Sequence, residues 1–316
     1  MLEVQRLSKR FGANRAVKNV SFQVHPGDSF GLLGPNGAGK STIISMISGF
    51  LAADEGEVLL EGHSLGREPR YVKRRIGLVP QSIALYEHLT AEENLKFWGA
   101  IYGVTGSELR ANVDWCLQVA GLEEHRGKIA GKFSGGMKRR LNIAAGLVHR
   151  PQLLIMDEPT VGIDPQSRNH ILETVKQLNQ DGMTVIYTSH YMEEVQFLCK
   201  RLAILDHGEM IAYGNLDDVR QLAGTLATIT IDVRGDLRSA VAELRQDLTL
   251  KQVEASEQSL VFQSEDAAVA VGKAVIVLSR HDLQPVRINV EEPNLESVFL
   301  RVTGRQLRDK GEGASA

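Results

Sequence analysis

"GPNGAGKST", residues 34–42, fits the pattern G-x-x-x-x-G-K-[ST]. It follows the apolar run "SFGLL" and leads into "STIISMISG", whose apolar residues recur at helical spacing. The pattern has a physical meaning only in that setting, as a loop between a strand end and a helix start. Its glycines let backbone N–H groups wrap a phosphate, and the helix dipole favours the phosphate charge. Gly34, Pro35, Asn36, Gly37, Ala38, Gly39, Lys40, Ser41 and Thr42 are therefore read as nucleotide-binding residues. Lys40 reaches the β- and γ-phosphates, and the Ser41 hydroxyl holds Mg²⁺. The chain binds a nucleoside triphosphate.

A phosphate loop implies an α/β sheet around it, and the flanking sequence supplies one. The runs "DSFGLLG", "RIGLVPQ", "QLLIMDE" and "MTVIYTSH" are short and continuously apolar, which suits parallel strands buried on both faces. "GEVLLEG" is bounded by glycines and reads as an antiparallel strand beside them. From Thr90 to Leu122 the pattern is helical, with "TAEENLKFWGAIYG" opening on a threonine cap and an acidic first turn. The expectation is a mixed, mostly parallel sheet over residues 1–222, with a helical subdomain at about 88–150. After "NLDDVRQLAG" the pattern changes to β-α-β-β-α-β, the order of a ferredoxin-like split fold, placing a small α+β domain at 223–304. A last helix begins near "PNLESVFLRVTG", and 305–316 is expected to be a disordered tail.

"LLIMDEP" sets Asp157 and Glu158 at the carboxyl end of an apolar strand. In a parallel α/β sheet that end is where ligands gather, so both acids belong beside the phosphate loop. Asp157 is the natural Mg²⁺ partner of Ser41, and Glu158 is placed to polarise an attacking water. Gln81 after "IGLVP" and His190 after "TVIYTS" end two further strands. His190 is read as a γ-phosphate contact, and Gln81 as a contact to Mg²⁺ or to the water.

The bulk properties narrow the function further. The chain has 316 residues, 43% hydrophobic, with a formal net charge of −3. That balance gives no reason to expect nucleic acid as a partner; any polyanion must meet a local patch. Cys116 and Cys199 lie in apolar helical patterns and read as core. "MLEVQRLSKRFG" lacks the apolar centre of a signal peptide, and the longest apolar run, "AAVAVGKAVIVL", is interrupted by Lys273 and too short to cross a bilayer. A cytoplasmic location is expected, with any membrane role exerted through a partner.

Taken in order, "GPNGAGKST", "PQ" at 80–81, "SGG" at 134–136, "LLIMDEPT", "GID" at 162–164 and "TSH" at 188–190 resemble the nucleotide-binding subunit of an ATP-binding cassette transporter. The resemblance covers residues 1 to about 220 and implies an ATPase using ATP and Mg²⁺. It implies that Phe11 stacks on adenine, that Gln81 lies in the loop sensing the membrane partner, and that Glu158 is the general base. It further implies that His190 is the switch histidine and that Asp164 lies in a loop crossing the dimer interface. Partners follow: a second copy or a paralogous ATPase, and separately encoded transmembrane permease subunits holding the chain at the cytoplasmic face of the membrane.

In that family two copies pair head to tail, and Ser134, Gly135 and Gly136 of one cap the ATP held by the other. This bears on "GKFSGGMKRR", 131–140, where Lys138, Arg139 and Arg140 crowd a helix start. Each cation there costs about 0.3–1 kcal/mol against the helix dipole. No acid occurs from His125 to Met156, so the run is read as a patch completed by a docked triphosphate. Met137 stands where the family commonly has Gln. "SGGMKRR", "TSHYMEEV" and "PNLESVFLRVTG" are similar to the branch exporting drugs, antibiotics and polysaccharides. The competing class is a soluble, non-transport cassette ATPase acting in regulation or on a macromolecular machine, but such relatives usually carry two cassettes in one chain or long coiled-coil arms. A phosphate-loop kinase or GTPase is weaker still, since no N-K-x-D guanine signature is present.

Overall fold

The computed structural model describes residues 1–303, apart from 223, 225, 257, 293 and 294. The chain divides into two compact units, of which the first takes Met1–Leu216 and the second Asp217–Gln306. The expected tail, 305–316, lies outside the described residues.

In the first unit a six-stranded sheet runs in the order Glu209–Asn215, Arg201–Asp206, Ser29–Leu33, Thr184–Ser189, Leu153–Asp157, Ile76–Val79. The last five are parallel, and Glu209–Asn215 closes the sheet as an antiparallel edge. Every residue of Ser29–Leu33, Leu153–Asp157 and Thr184–Ser189 is buried, which is why these strands read as unbroken apolar runs.

The expected strand "GEVLLEG" forms over Glu55–Leu60, but not beside the parallel strands. It belongs to a separate antiparallel sheet ordered Asn14–Val24, Leu2–Phe11, Glu55–Leu60, His63–Ser64. Its alternating burial explains the difference, since Val58 and Leu60 point inward while their neighbours are more open. The inward residues of both sheets enclose the helix Lys40–Ile47, whose Ile43, Ile44, Met46 and Ile47 fill the space between them. Phe22 and Phe30 stack across this core with ring centroids 5.2 Å apart.

Three helices, Ala91–Ile101, Gly106–Ala120 and Gly135–Leu147, make the helical subdomain. Thr90 and Glu93 form the reciprocal capping box expected from "TAEE". Cys116 and Cys199 are both buried, and burial pushes each thiol up to about 12, so neither is a nucleophile.

The second unit contains a four-stranded antiparallel sheet in the order Lys251–Ala255, Ser259–Ser264, Ala227–Arg234, Gln284–Glu291. The helices Arg238–Leu244 and Ala267–Arg280 connect its strands in the order β-α-β-β-α-β, the split arrangement of ferredoxin-like domains. Ile229, Ile231, Leu260, Phe262 and Leu278 form its own core. A final helix occupies Leu295–Thr303. No described helix is long and apolar enough to cross a membrane.

Candidate active site

The phosphate loop leaves the strand Ser29–Leu33 and ends as the helix Lys40–Ile47 begins. Gly39 caps that helix at φ 104°, and a Cβ there would lie 2.7 Å from the Ala16 carbonyl oxygen. Both conditions demand glycine at this position. Lys40 folds over the loop, and its Nζ donates to the carbonyls of Gly34 at 2.8 Å and Pro35 at 3.2 Å. The same ammonium lies 3.1 Å from Glu158 Oε1, and both groups are buried. Ser41 is exposed at the mouth of the loop.

Glu158 is the meeting point of the sequence-predicted residues. Gln81 Nε2 donates to Glu158 Oε2 at 3.3 Å, and His190 Nδ1 lies 3.3 Å from the same oxygen without hydrogen-bond alignment. Three strand ends, at Val79, Asp157 and Ser189, thus deliver Gln81, Glu158 and His190 to one place. Glu158 adopts φ 45°, a left-handed conformation that costs a residue with a Cβ of order 1 kcal/mol or more. Thr188 holds it there. Its Oγ1 accepts from the Glu158 N–H at 2.9 Å and donates to Asp157 Oδ1 at 2.7 Å. One hydroxyl on the neighbouring strand therefore fixes both acids. The sequence reading missed Thr188, although a threonine within an otherwise buried strand was the available signal.

A second missed group lies behind the first. Glu194 is 1% exposed and accepts from Thr160 Oγ1, Arg168 Nε and Ser189 Oγ, each at 2.7 Å, and from Tyr187 OH at 3.0 Å. Thr160 follows Glu158 by two residues and Ser189 precedes His190, so one carboxylate braces the segments on both sides of the site.

The "SGG" helix start stands elsewhere. Ser134 caps the helix Gly135–Leu147, its hydroxyl accepting from the Met137 N–H at 3.3 Å. A Cβ on Gly136 would collide with Ser167 Oγ, so this glycine is needed for close approach. The helix packs along the edge strand Ile76–Val79, with Gly146 against Val79 and Arg139 donating to the Pro80 carbonyl at 3.1 Å. In the sheet, that edge is three strands from Ser29–Leu33, roughly 14 Å. Asp164 caps the helix Pro165–Gln180, and the Ser167 N–H donating to it at 2.9 Å holds its carboxyl below the usual range. Phe11 ends its strand half-exposed, with Lys9 Nζ 5.8 Å from its ring.

The basic run does not form the open phosphate patch expected of it. Lys138 Nζ pairs with Glu87 Oε1 at 2.6 Å. Arg139 is buried and donates to Pro80. Arg140 donates to the carbonyls of Ala120 at 2.5 Å and Gly121 at 3.2 Å, at the carboxyl end of Gly106–Ala120. Those carbonyls carry the negative end of that helix's dipole, which offsets what the cations lose at their own helix start.

As donors for a cation, the Ser41 hydroxyl, the Gln81 side-chain oxygen and the Asp157 carboxylate are hard oxygens and few in number. That set suits Mg²⁺, which completes its shell with phosphate and water. Among the described residues no cluster of three or more His, Cys, Asp or Glu offers a cage for a softer metal.

The ABC transporter family matches residues 17–161, and an AAA domain family matches 128–195. The chain is 50% identical to the linearmycin resistance ATP-binding protein LnrL of Bacillus subtilis, over 98% of this chain and all of that one. It is 36% identical to the Nod factor export ATP-binding protein I of Ralstonia nicotianae, over 98% of this chain and 95% of that one. Among solved structures, an ATP-binding subunit of an ABC transporter superposes with a TM-score of 0.65 at 32% identity, covering 71% of this chain and 93% of that one. A dimeric ATP-binding cassette bound to ADP and Pi in a post-hydrolysis state superposes with a TM-score of 0.62 at 29% identity, covering 68% and 99%.

Proposed function

From the premise that this chain belongs to the ABC transporter family of ATP-binding proteins, we propose how its residues divide the work of hydrolysis and what that work exports. The protein is an ATP-binding, ATP-hydrolysing subunit of an exporter, and two cassettes close head to tail around two ATP. The observation that carries the site reading is the convergence of Lys40, Gln81 and His190 on Glu158.

In this reading the residues from Gly34 to Thr42 hold the phosphates of ATP, and Phe11 offers its open ring face to adenine. The Lys40 ammonium exchanges Glu158 for the β- and γ-phosphates, which frees the carboxylate. Glu158 takes the proton as the water oxygen bonds to the γ-phosphorus and the bond to ADP breaks. His190 orients toward the γ-phosphate. Ser41, Gln81 and Asp157 would hold Mg²⁺, which supplies charge neutralisation at the phosphates. The strand spacing supports a shared site, because the helix that Ser134 caps packs on the edge strand Ile76–Val79, roughly 14 Å across the sheet from the strand feeding the loop. They are suited to cap a nucleotide held by a second copy, with Asp164 at the same junction.

The membrane partner is a separate permease, which places the subunit at the cytoplasmic face. An apolar cavity of about 480 Å³, lined by Ile44, Phe50, Pro80, Trp98, Tyr102 and Asp157, supports this. It lies immediately before Gln81, and Phe50 is 79% exposed at its rim. The exported molecule is of the drug or antibiotic class, in line with the linearmycin resistance relative.

Glu158→Gln tests the reading. ATP hydrolysis falls by about 10²–10⁴-fold, while ATP binding persists and a nucleotide-dependent dimer accumulates. A variant that hydrolyses ATP normally, or stays monomeric with ATP, overturns it. Co-purification of the tagged chain with a membrane protein encoded beside it tests the permease.

A further inference from the structure

The two edges of the second unit's sheet differ in where their register breaks and how long a run is left unbroken. Lys251–Ala255 and Gln284–Glu291 are the two edge strands. The register of the first breaks between Lys251 and Glu254, and Gln252 sits at φ 49°. Such a bulge spoils pairing with any further strand. The second edge breaks register once, between its pairs to Val233 and Asp232, and then runs without a break over its last five residues. Arg287, Ile288, Asn289, Val290 and Glu291 face Asp232, Ile231, Thr230, Ile229 and Thr228 in continuous register. Among the described residues no strand pairs with its outer side.

Ile288 and Val290 share a face with Ile231 and Ile229, which are fully buried, yet they remain 42% and 41% exposed. Val286, further along the strand, is more open still. An apolar row on an unpaired edge is a template for strand addition.

The charge pattern identifies the occupant. Pairing this strand antiparallel with a copy of itself, centred on Asn289, sets Arg287 opposite Glu291 twice and Ile288 opposite Val290 twice. A parallel, in-register pairing would instead oppose like charges. Within the chain Arg287 forms no ion pair among the described residues, although Asp232 lies across from it, and Glu291 accepts from Asn289 Nδ2 at 3.0 Å. Both charges therefore remain available to a partner.

We propose that two copies of this chain join through antiparallel pairing of residues 287–291, merging two four-stranded sheets into one of eight. This contact needs no nucleotide and is separate from closure of the cassettes. It keeps two cassettes at high effective concentration, so that ATP closes a pair already joined. That consequence rests on the cassette reading above; the strand contact does not.

Sedimentation of the full chain with EDTA and no nucleotide tests it. The unmodified chain dimerises, and Arg287→Glu or Glu291→Arg alone sets like charges opposite each other and weakens the dimer about tenfold. The double substitution restores pairing. Independently, Asn289→Cys cross-links across the two-fold axis under mild oxidation. Val286→Cys does not, because its two copies stand six residues apart along the strand, roughly 20 Å. The native thiols are buried and do not compete. A monomeric unmodified chain, single and double variants that dimerise alike, or equal cross-linking at both positions overturns the proposal. If the strand contact fails while Glu158→Gln still associates with ATP, the inference falls and the cassette reading stands.

Discussion

Removing the buried carboxylate with Glu194→Ala should destabilise the cassette by about 3–6 kcal/mol. The starting magnitude is that of breaking a buried ion pair, about 3–5 kcal/mol, because the remaining partner is left uncompensated. Arg168 moves the figure toward the lower end, since its side chain is 31% exposed and water can recover part of its charge. The hydroxyls of Thr160, Tyr187 and Ser189 all lose the same acceptor, and each buried group left unsatisfied costs of order 1 kcal/mol. Glu194→Gln keeps the volume and one acceptor, so about 1–3 kcal/mol is expected. Trp98 and Trp115, the chain's two tryptophans, both lie in the first unit, so urea unfolding followed by their fluorescence reports that unit alone. Arg168→Ala combined with Glu194→Ala should show a coupling of at least about 1 kcal/mol. A loss below about 1 kcal/mol for Glu194→Ala, or additivity of the two within about 0.5 kcal/mol, would refute the account of a shared buried network. Because the network braces the segments carrying Glu158 and His190, Glu194→Gln should also lower kcat more than its stability loss explains.

Burial lowers the His149 pKa to about 4, against a weaker opposing bond to the Ile76 carbonyl, and the ring stacks on Tyr102 at 3.6 Å. The folded chain then binds this proton less readily than the unfolded chain, so stability present above pH 6.5 is lost as pH falls. About 2 kcal/mol should disappear between pH 7 and pH 5, and His149→Phe should flatten that part of the urea-midpoint profile. Arg140→Ala removes two bonds to a helix end and should cost about 1.5–3 kcal/mol by denaturation. Lys138→Ala should leave nucleotide-dependent dimerisation unchanged; a large salt-dependent loss would restore a phosphate-binding role to the basic run. Met137→Gln should retain ATP hydrolysis in a phosphate-release assay, and an inactive variant would reveal a packing role for the methionine.

The amino-acid sequence by itself determined the chemistry. A phosphate loop is built from consecutive backbone groups, so "GPNGAGKST" carries its meaning in the order of its own residues. The acids at 157 and 158 were legible for a related reason. An apolar run marks a buried strand, and in a parallel sheet the carboxyl end of such a strand faces the ligand. Gln81 and His190 followed from the same rule, while the βαββαβ order of the second unit was legible in its succession of strand and helix patterns. Tertiary structure alone decided where each long polar side chain finds its partner. Lys138 meets Glu87, 51 residues away, and Arg140 meets carbonyls about 20 residues away. Thr188 reaches Glu158 across 30 residues, and Glu194 gathers four groups from three segments. A flexible charged side chain has no preferred partner in the extended chain, and its local dipole cost looks like a signal of function. Folding brings distant carbonyls and carboxylates within 3 Å or so, where a hydrogen bond to a charged group outweighs that cost.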